Sequence, residues 1–258
     1  MVIEDHAWCS TAMPSGRPED GDVLDAGLIF AFYSPVSAAA LLDRLGRPGA
    51  VRLGSARPAA VPRLATGLAQ LDAALDGGLP RGRLTEIAGA RSSGRTGLAC
   101  VIAGAATRAG ETIAWVDPEN GLEPEEDAGV GDRLGRTLWV RPRCERDALR
   151  AAELLLGAGG FGLVVLDLGS LIATERGAPW PRLVHAAERT GSALLVVAAQ
   201  RLTGACAALG LELGARQVRW SVTVGRLALL EGIDARLTVA RSRVGRTGRA
   251  LVVRQACA

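Results

Sequence analysis

The chain has 258 residues, 48% hydrophobic but only 3% aromatic, with 30 basic side chains against 27 acidic ones and a formal net charge of +3. All 30 basic side chains are arginine, and no apolar run reaches the ~18–20 residues of a membrane helix, which argues against a membrane-spanning protein. The length fits one domain of about 200 residues plus an N-terminal extension. Five cysteines without a C-x-x-C pair and two histidines point to neither a zinc site nor a disulfide framework, so a reducing cytoplasm suits the chain.

Residues 1–33 hold both methionines and the sole tyrosine, Tyr33, and read as disordered or as a mis-assigned start, with Ser10–Gly21 polar and rich in Pro and Gly. Ser34-Pro35 predicts an N-cap and first-turn proline for a helix to about Leu45, carrying Ala38, Leu41, Leu42 and Leu45 on one face. A Gly/Pro/Arg linker, Gly46–Pro62, completes an N-terminal segment over 34–62, and the core domain spans 63–258.

In the core, Thr66 reads as the N-cap of a short helix stopped by Gly77–Pro80. A strand over Leu84–Ala88, a small-residue helix over Thr96–Ala109, and strands over Thr112–Val116 and Thr137–Val140 follow. The last two flank a loop in which residues 117–132 carry seven acids and no arginine. Glu145–Leu156 has helical periodicity; Gly162–Leu166 is an apolar strand ending in Asp167; Pro181–Arg189 is a helix in which His185 is structural; Ser192–Ala199 is an apolar strand ending in Gln200. Strands this apolar, alternating with helices, predict an α/β fold with a mainly parallel sheet and helices on both faces. Beyond Arg216 only strands are expected, over Gln217–Val224, Arg226–Leu230, Arg236–Ala240 and Ala250–Arg254, which predicts an antiparallel extension.

Between the first core strand and its helix lies Gly89-Ala-Arg-Ser-Ser-Gly-Arg-Thr96, the spacing G-x-x-x-x-G-K-[ST] with Arg95 in the lysine position. In such a loop backbone N–H groups of Ser92, Ser93 and Gly94 and the helix N-terminus hold phosphates, the lysine reaches the outer phosphate, and the Thr96 hydroxyl takes Mg²⁺. Arginine keeps the charge but is bulkier and forked, so the exchange is not conservative. It reads either as drift in an arginine-rich composition or as a purposeful substitution. Asp167 is placed as a strand-terminal carboxylate that orients Mg²⁺, Glu119 as a carboxylate two residues beyond the strand-terminal Asp117, and Gln200 as a sensor of the outer phosphate. Parallel strands put all these ends on one edge. From Arg201 onward ten arginines face three acids, so the last third offers a surface for nucleic acid or an acidic partner.

The run Thr66-Gly67, Leu71-Asp72, Gly77-Gly78-Leu79-Pro80-Arg81-Gly82-Arg83, Glu86-Ile87, Ser92-Ser93-Gly94 and Trp115-Val-Asp-Pro-Glu-Asn-Gly-Leu-Glu-Pro124 resembles the RecA recombinase family. The resemblance implies a RecA-like core, ATP and Mg²⁺ as cofactors, Glu119 as the glutamate that polarises water, and Arg241 and Arg243 as residues reaching a neighbour's nucleotide. Candidate DNA contacts are Arg219, Arg246 and Arg249, with Arg241 and Arg243 also available to single-stranded DNA. The chain departs from recombinases in Arg95, in a short first DNA loop between Asp167 and Pro181, in an apolar second loop, Leu202–Ala215, and in lacking a separate C-terminal domain. With these departures and Trp139-Val-Arg-Pro-Arg143, it most resembles the ImuA proteins of bacterial damage-inducible mutagenesis. That implies a cytoplasmic, nucleoid-associated accessory role in error-prone translesion synthesis, with an ImuB-like polymerase homologue, RecA and an error-prone polymerase as partners. The expectation is therefore a binding role more than an enzymatic one, with ATP/Mg²⁺ held weakly. Two alternatives are a weak DNA-dependent ATPase or recombinase, and a binding-only damage-response effector of the SulA type.

Overall fold

The computed structural model describes residues 61–123, 135–171, 179–221, 230–243 and 247–256. The expected N-terminal helix and nearly all of its linker, most of the acidic loop, all but the last residue of the strand expected at Arg226–Leu230, part of the loop after Asp167, and Arg246 lie outside the described residues.

A two-residue strand β1 (Arg63–Leu64) pairs antiparallel with β2 (Leu79–Pro80) around helix α1 (Ala69–Ala74). The α1 N-cap is Leu68, not Thr66. Thr66 instead closes the turn before it: its hydroxyl donates to Asp72 Oδ1 at 2.8 Å and accepts from the Leu68 N–H at 3.2 Å. Then follow β3 (Leu84–Gly89), α2 (Arg95–Arg108), β4 (Ile113–Val116), β5 (Thr137–Val140), α3 (Glu145–Ala158), β6 (Leu163–Asp167), α4 (Trp180–Thr190), β7 (Ala193–Ala198), β8 (Leu209–Trp220), β9 (Leu230–Ser242) and β10 (Ala250–Ala256).

The main sheet has eight strands in the order β10-β9-β8-β3-β7-β6-β4-β5. Pairings from β8 through β5 are parallel, while β9 runs antiparallel to both β8 and β10. The inner strands β3, β6 and β7 are buried along their whole length on both faces, which is why they are mostly apolar instead of alternating. In β6, Leu163 and Val165 join the core beneath α2, and Val164 and Leu166 join the core beneath α3 and α4. Helix α2 is built from Gly, Ala and Cys around Leu98 and Ile102, small enough to lie close on the sheet. No helix among the described residues is long and apolar enough to cross a membrane.

A second expectation is corrected. The loop expected over Leu202–Ala215 is a loop only to Ala208; from Leu209 it is strand β8, and the strand expected at Gln217–Val224 is the far half of that strand, which ends at Trp220. Leu209, Leu211 and Leu213 alternate with Gly210 and Glu212 and are buried, a period-two pattern that a strand beside β3 satisfies.

Candidate phosphate-binding site

β3 ends at Gly89 in the middle of the sheet, and the chain turns directly into α2. The turn needs left-handed backbone at Ser92 (φ 61°) and at Gly94 (φ 89°), the α2 N-cap. A Cβ on Gly89 would collide with the Ser93 side chain, so only glycine lets the loop close this tightly. No side chain caps the α2 N-terminus, leaving its first N–H groups with the partial positive charge that suits an anion.

Arg95 enters this loop from the first turn of α2. It is 7% exposed, and Nη1 donates to the Gly89 carbonyl oxygen at 2.7 Å. The guanidinium is folded back onto the loop that carries it. Arg95 Nε and Ser93 Oγ are both buried with no protein hydrogen-bond partner. Orphaned donors in a glycine-closed loop at an uncapped helix end fit a phosphate group.

The Thr96 hydroxyl donates to Asp167 Oδ2 at 3.2 Å, and the Gly169 N–H donates to Asp167 Oδ1 at 2.9 Å. Burial pushes the Asp167 carboxyl up from 3.8 to about 6; the nearby charge of Asp117 pushes the same way, while the Gly169 and Thr96 hydrogen bonds and the Arg95 charge oppose it. Hydroxyl and carboxylate oxygens are the donors a hard cation takes. Among the described residues no group of three His, Cys, Asp or Glu could hold a metal alone, so a cation here would need phosphate oxygens as well.

Glu119 reaches the same cleft from the segment after β4, where its Oε2 accepts the Ser170 N–H at 3.0 Å. Arg91, Ser92, Gly94, Arg95, Thr96 and Glu119 line a cleft of about 340 Å³. Asp117 does not face it: buried, it accepts the N–H groups of Gly121 and Leu122 at 3.1 and 3.0 Å and so shapes the loop that presents Glu119.

The other expected residues lie elsewhere. Gln200 follows β7 on the same sheet edge, exposed and outside the cleft lining. Arg241 Nη1 donates to the Gly204 carbonyl at 3.0 Å and Arg249 Nη1 to the Ala73 carbonyl at 3.3 Å. Arg219 pairs with Asp234 at 3.1 Å, and Arg243 is exposed.

Glu86, noted above only for the resemblance it carries, has a role that the sequence did not assign. Glu86 lies in β3 with its side chain fully buried, and its Oε1 accepts the N–H groups of Leu202 and Thr203 at 2.6 and 2.9 Å. Arg201 stands between Glu86 Oε2 at 3.9 Å and Glu212 at 3.6 Å. The segment after Gln200 is thereby tied to the strand that delivers the phosphate loop. Its signal was a lone acid inside an apolar strand, since a buried carboxylate must find partners.

The family model described as the RecA N-terminal domain matches residues 37–177. Protein RecA of Clavibacter michiganensis subsp. michiganensis is 41% identical over 133 residues, covering 51% of this chain and 37% of that protein. Protein RecA of Leifsonia xyli subsp. xyli is 40% identical over 134 residues, covering 51% of this chain and 38% of that protein. The chain thus spans under two fifths of the length of these curated relatives. Among solved structures, that of the RadB recombinase superposes with a TM-score of 0.56 at 22% identity, covering 74% of this chain and 95% of that one, a likeness of fold.

Proposed function

From a chain that belongs to the RecA N-terminal domain family, we propose an accessory protein of damage-induced, error-prone translesion synthesis, working through protein contacts around a degenerate nucleotide site. Arg95 carries the reading. A cation tied to the Gly89 carbonyl inside its own loop is not poised on an outer phosphate, and phosphoryl transfer depends mostly on such positioning. If ATP and Mg²⁺ bind, the loop N–H groups of Ser92–Thr96 would take phosphates, Thr96 and Asp167 would hold the cation, and Glu119 would orient water. Bound there, the nucleotide would supply a transferable phosphoryl group, and binding through backbone donors survives the loss of the lysine better than hydrolysis does.

The partners in this reading are an ImuB-like polymerase homologue, RecA and an error-prone polymerase, with single-stranded DNA as a weaker ligand. A second reading, a weak DNA-dependent ATPase of the recombinase type, is favoured by the Thr96–Asp167 hydrogen bond and by Glu119 lining the same cleft. A host strain with the gene deleted separates the two. The expected result is loss of damage-induced mutagenesis with homologous recombination intact; loss of recombination with mutagenesis unchanged overturns the accessory role.

A further inference from the structure

The far edge of the main sheet carries a feature unrelated to the phosphate loop. β10, seven residues of sequence Ala-Leu-Val-Val-Arg-Gln-Ala, pairs only with β9 among the described strands. The Arg249 carbonyl accepts from Val239 in β9, so along β10 the odd-numbered residues face β9 and the backbone groups of Ala250, Val252 and Arg254 point outward. Natural sheets protect such edges with proline, lysine, bulges or an inward charge. This one has no proline, a single charge at Arg254, and Val252 left 55% exposed. Beside it a groove of about 370 Å³ runs between the start of α1, at Leu68 and Leu71, and Leu251–Arg254.

We propose that this edge pairs with the same edge of a second copy, making a two-fold symmetric dimer with Val252 opposite Val252 on the axis. The register follows from the outward backbone groups: Val252 with Val252, and Ala250 with Arg254 on each side, are hydrogen-bonded antiparallel pairs. Both arginines then lie opposite alanine, so no like charges face each other. In that register Leu251 and Val253 of the second copy fall on the sheet face that carries α1 and enter the groove beside Leu68 and Leu71. One occupant therefore accounts for the bare edge, the exposed valine and the groove together.

Sedimentation of the full chain across a range of micromolar concentrations tests this. A species of twice the monomer mass is expected, retained in Val252→Ile and lost by at least about tenfold in dimerisation constant in Val252→Lys, which sets two cations on the axis. Circular dichroism of Val252→Lys should match the parent, since the position is exposed. A monomeric full chain at every concentration overturns the proposal, whether residues 1–60 or another protein's strand covers the edge instead. A Val252→Lys chain that dimerises as well as the parent overturns it too, by placing the contact elsewhere.

Discussion

Asp167 sets a pH dependence of its own. Its carboxyl is pushed up to about 6 in the folded chain against an ordinary 3.8, so the folded state binds more protons than the unfolded one between those values. Stability in metal-free buffer therefore falls as pH rises from about 4 to about 6, and the cost is fully present above that window. Asp167→Asn is expected to stabilise the chain at pH 8 by up to about 3 kcal/mol and to change it little near pH 3.5, read by urea unfolding at both values. A variant less stable than the parent at pH 8 contradicts the burial account. Glu86 stabilises the fold by a different route, accepting the backbone N–H groups of Leu202 and Thr203. Glu86→Ala is expected to cost about 2–4 kcal/mol and Glu86→Gln, which keeps an acceptor oxygen, less than half of that. Equal losses in the two variants would mean that charge, not acceptance, is what the site needs.

At the scale of elements, the turn between α1 and β2 depends on Gly78. Its φ is 117°, and a Cβ there would run into the Leu64 carbonyl oxygen in β1. Gly78→Ala should cost at least about 2 kcal/mol and loosen the β1–β2 pair, seen as faster amide exchange at Arg63–Leu64; unchanged exchange would contradict the close approach. Which elements the sequence disclosed follows from how each is held. The β3–loop–α2 unit, β4 and β6 were legible because apolar runs ending in glycine or aspartate have few other solutions. The start of β8 was not, since Leu-Gly-Leu-Glu-Leu is small and apolar and reads equally as loop until its neighbour β3 is known. Thr96 with Asp167 and Glu119 could be placed on one edge from the parallel direction of the strands alone. The inward turn of Arg95 and the role of Glu86 could not, because both depend on backbone atoms distant in sequence that only folding brings near.

For the whole molecule, the charge surplus of the last third is less available than its composition suggests. Arg201 serves Glu86 and Glu212, Arg219 and Arg254 share Asp234, and Arg241 and Arg249 are tied to carbonyl oxygens. Single-stranded DNA is accordingly expected to bind modestly, without base preference and with affinity falling as salt rises, and reversal of charge at Arg246 and Arg249 should weaken retention. Retention unchanged by that pair rejects this surface. The central claim is that a RecA-type core keeps its phosphate loop and its acidic residues while Arg95 disables turnover. The most direct measurement is ATP hydrolysis with saturating single-stranded DNA by the parent chain and by Arg95→Lys. The account predicts turnover near background for the parent and a rise of at least about 100-fold in the lysine variant, the size of effect that one well-placed charge-stabilising group supplies. A parent chain that hydrolyses ATP at a recombinase-like rate, with no gain from lysine, would contradict it.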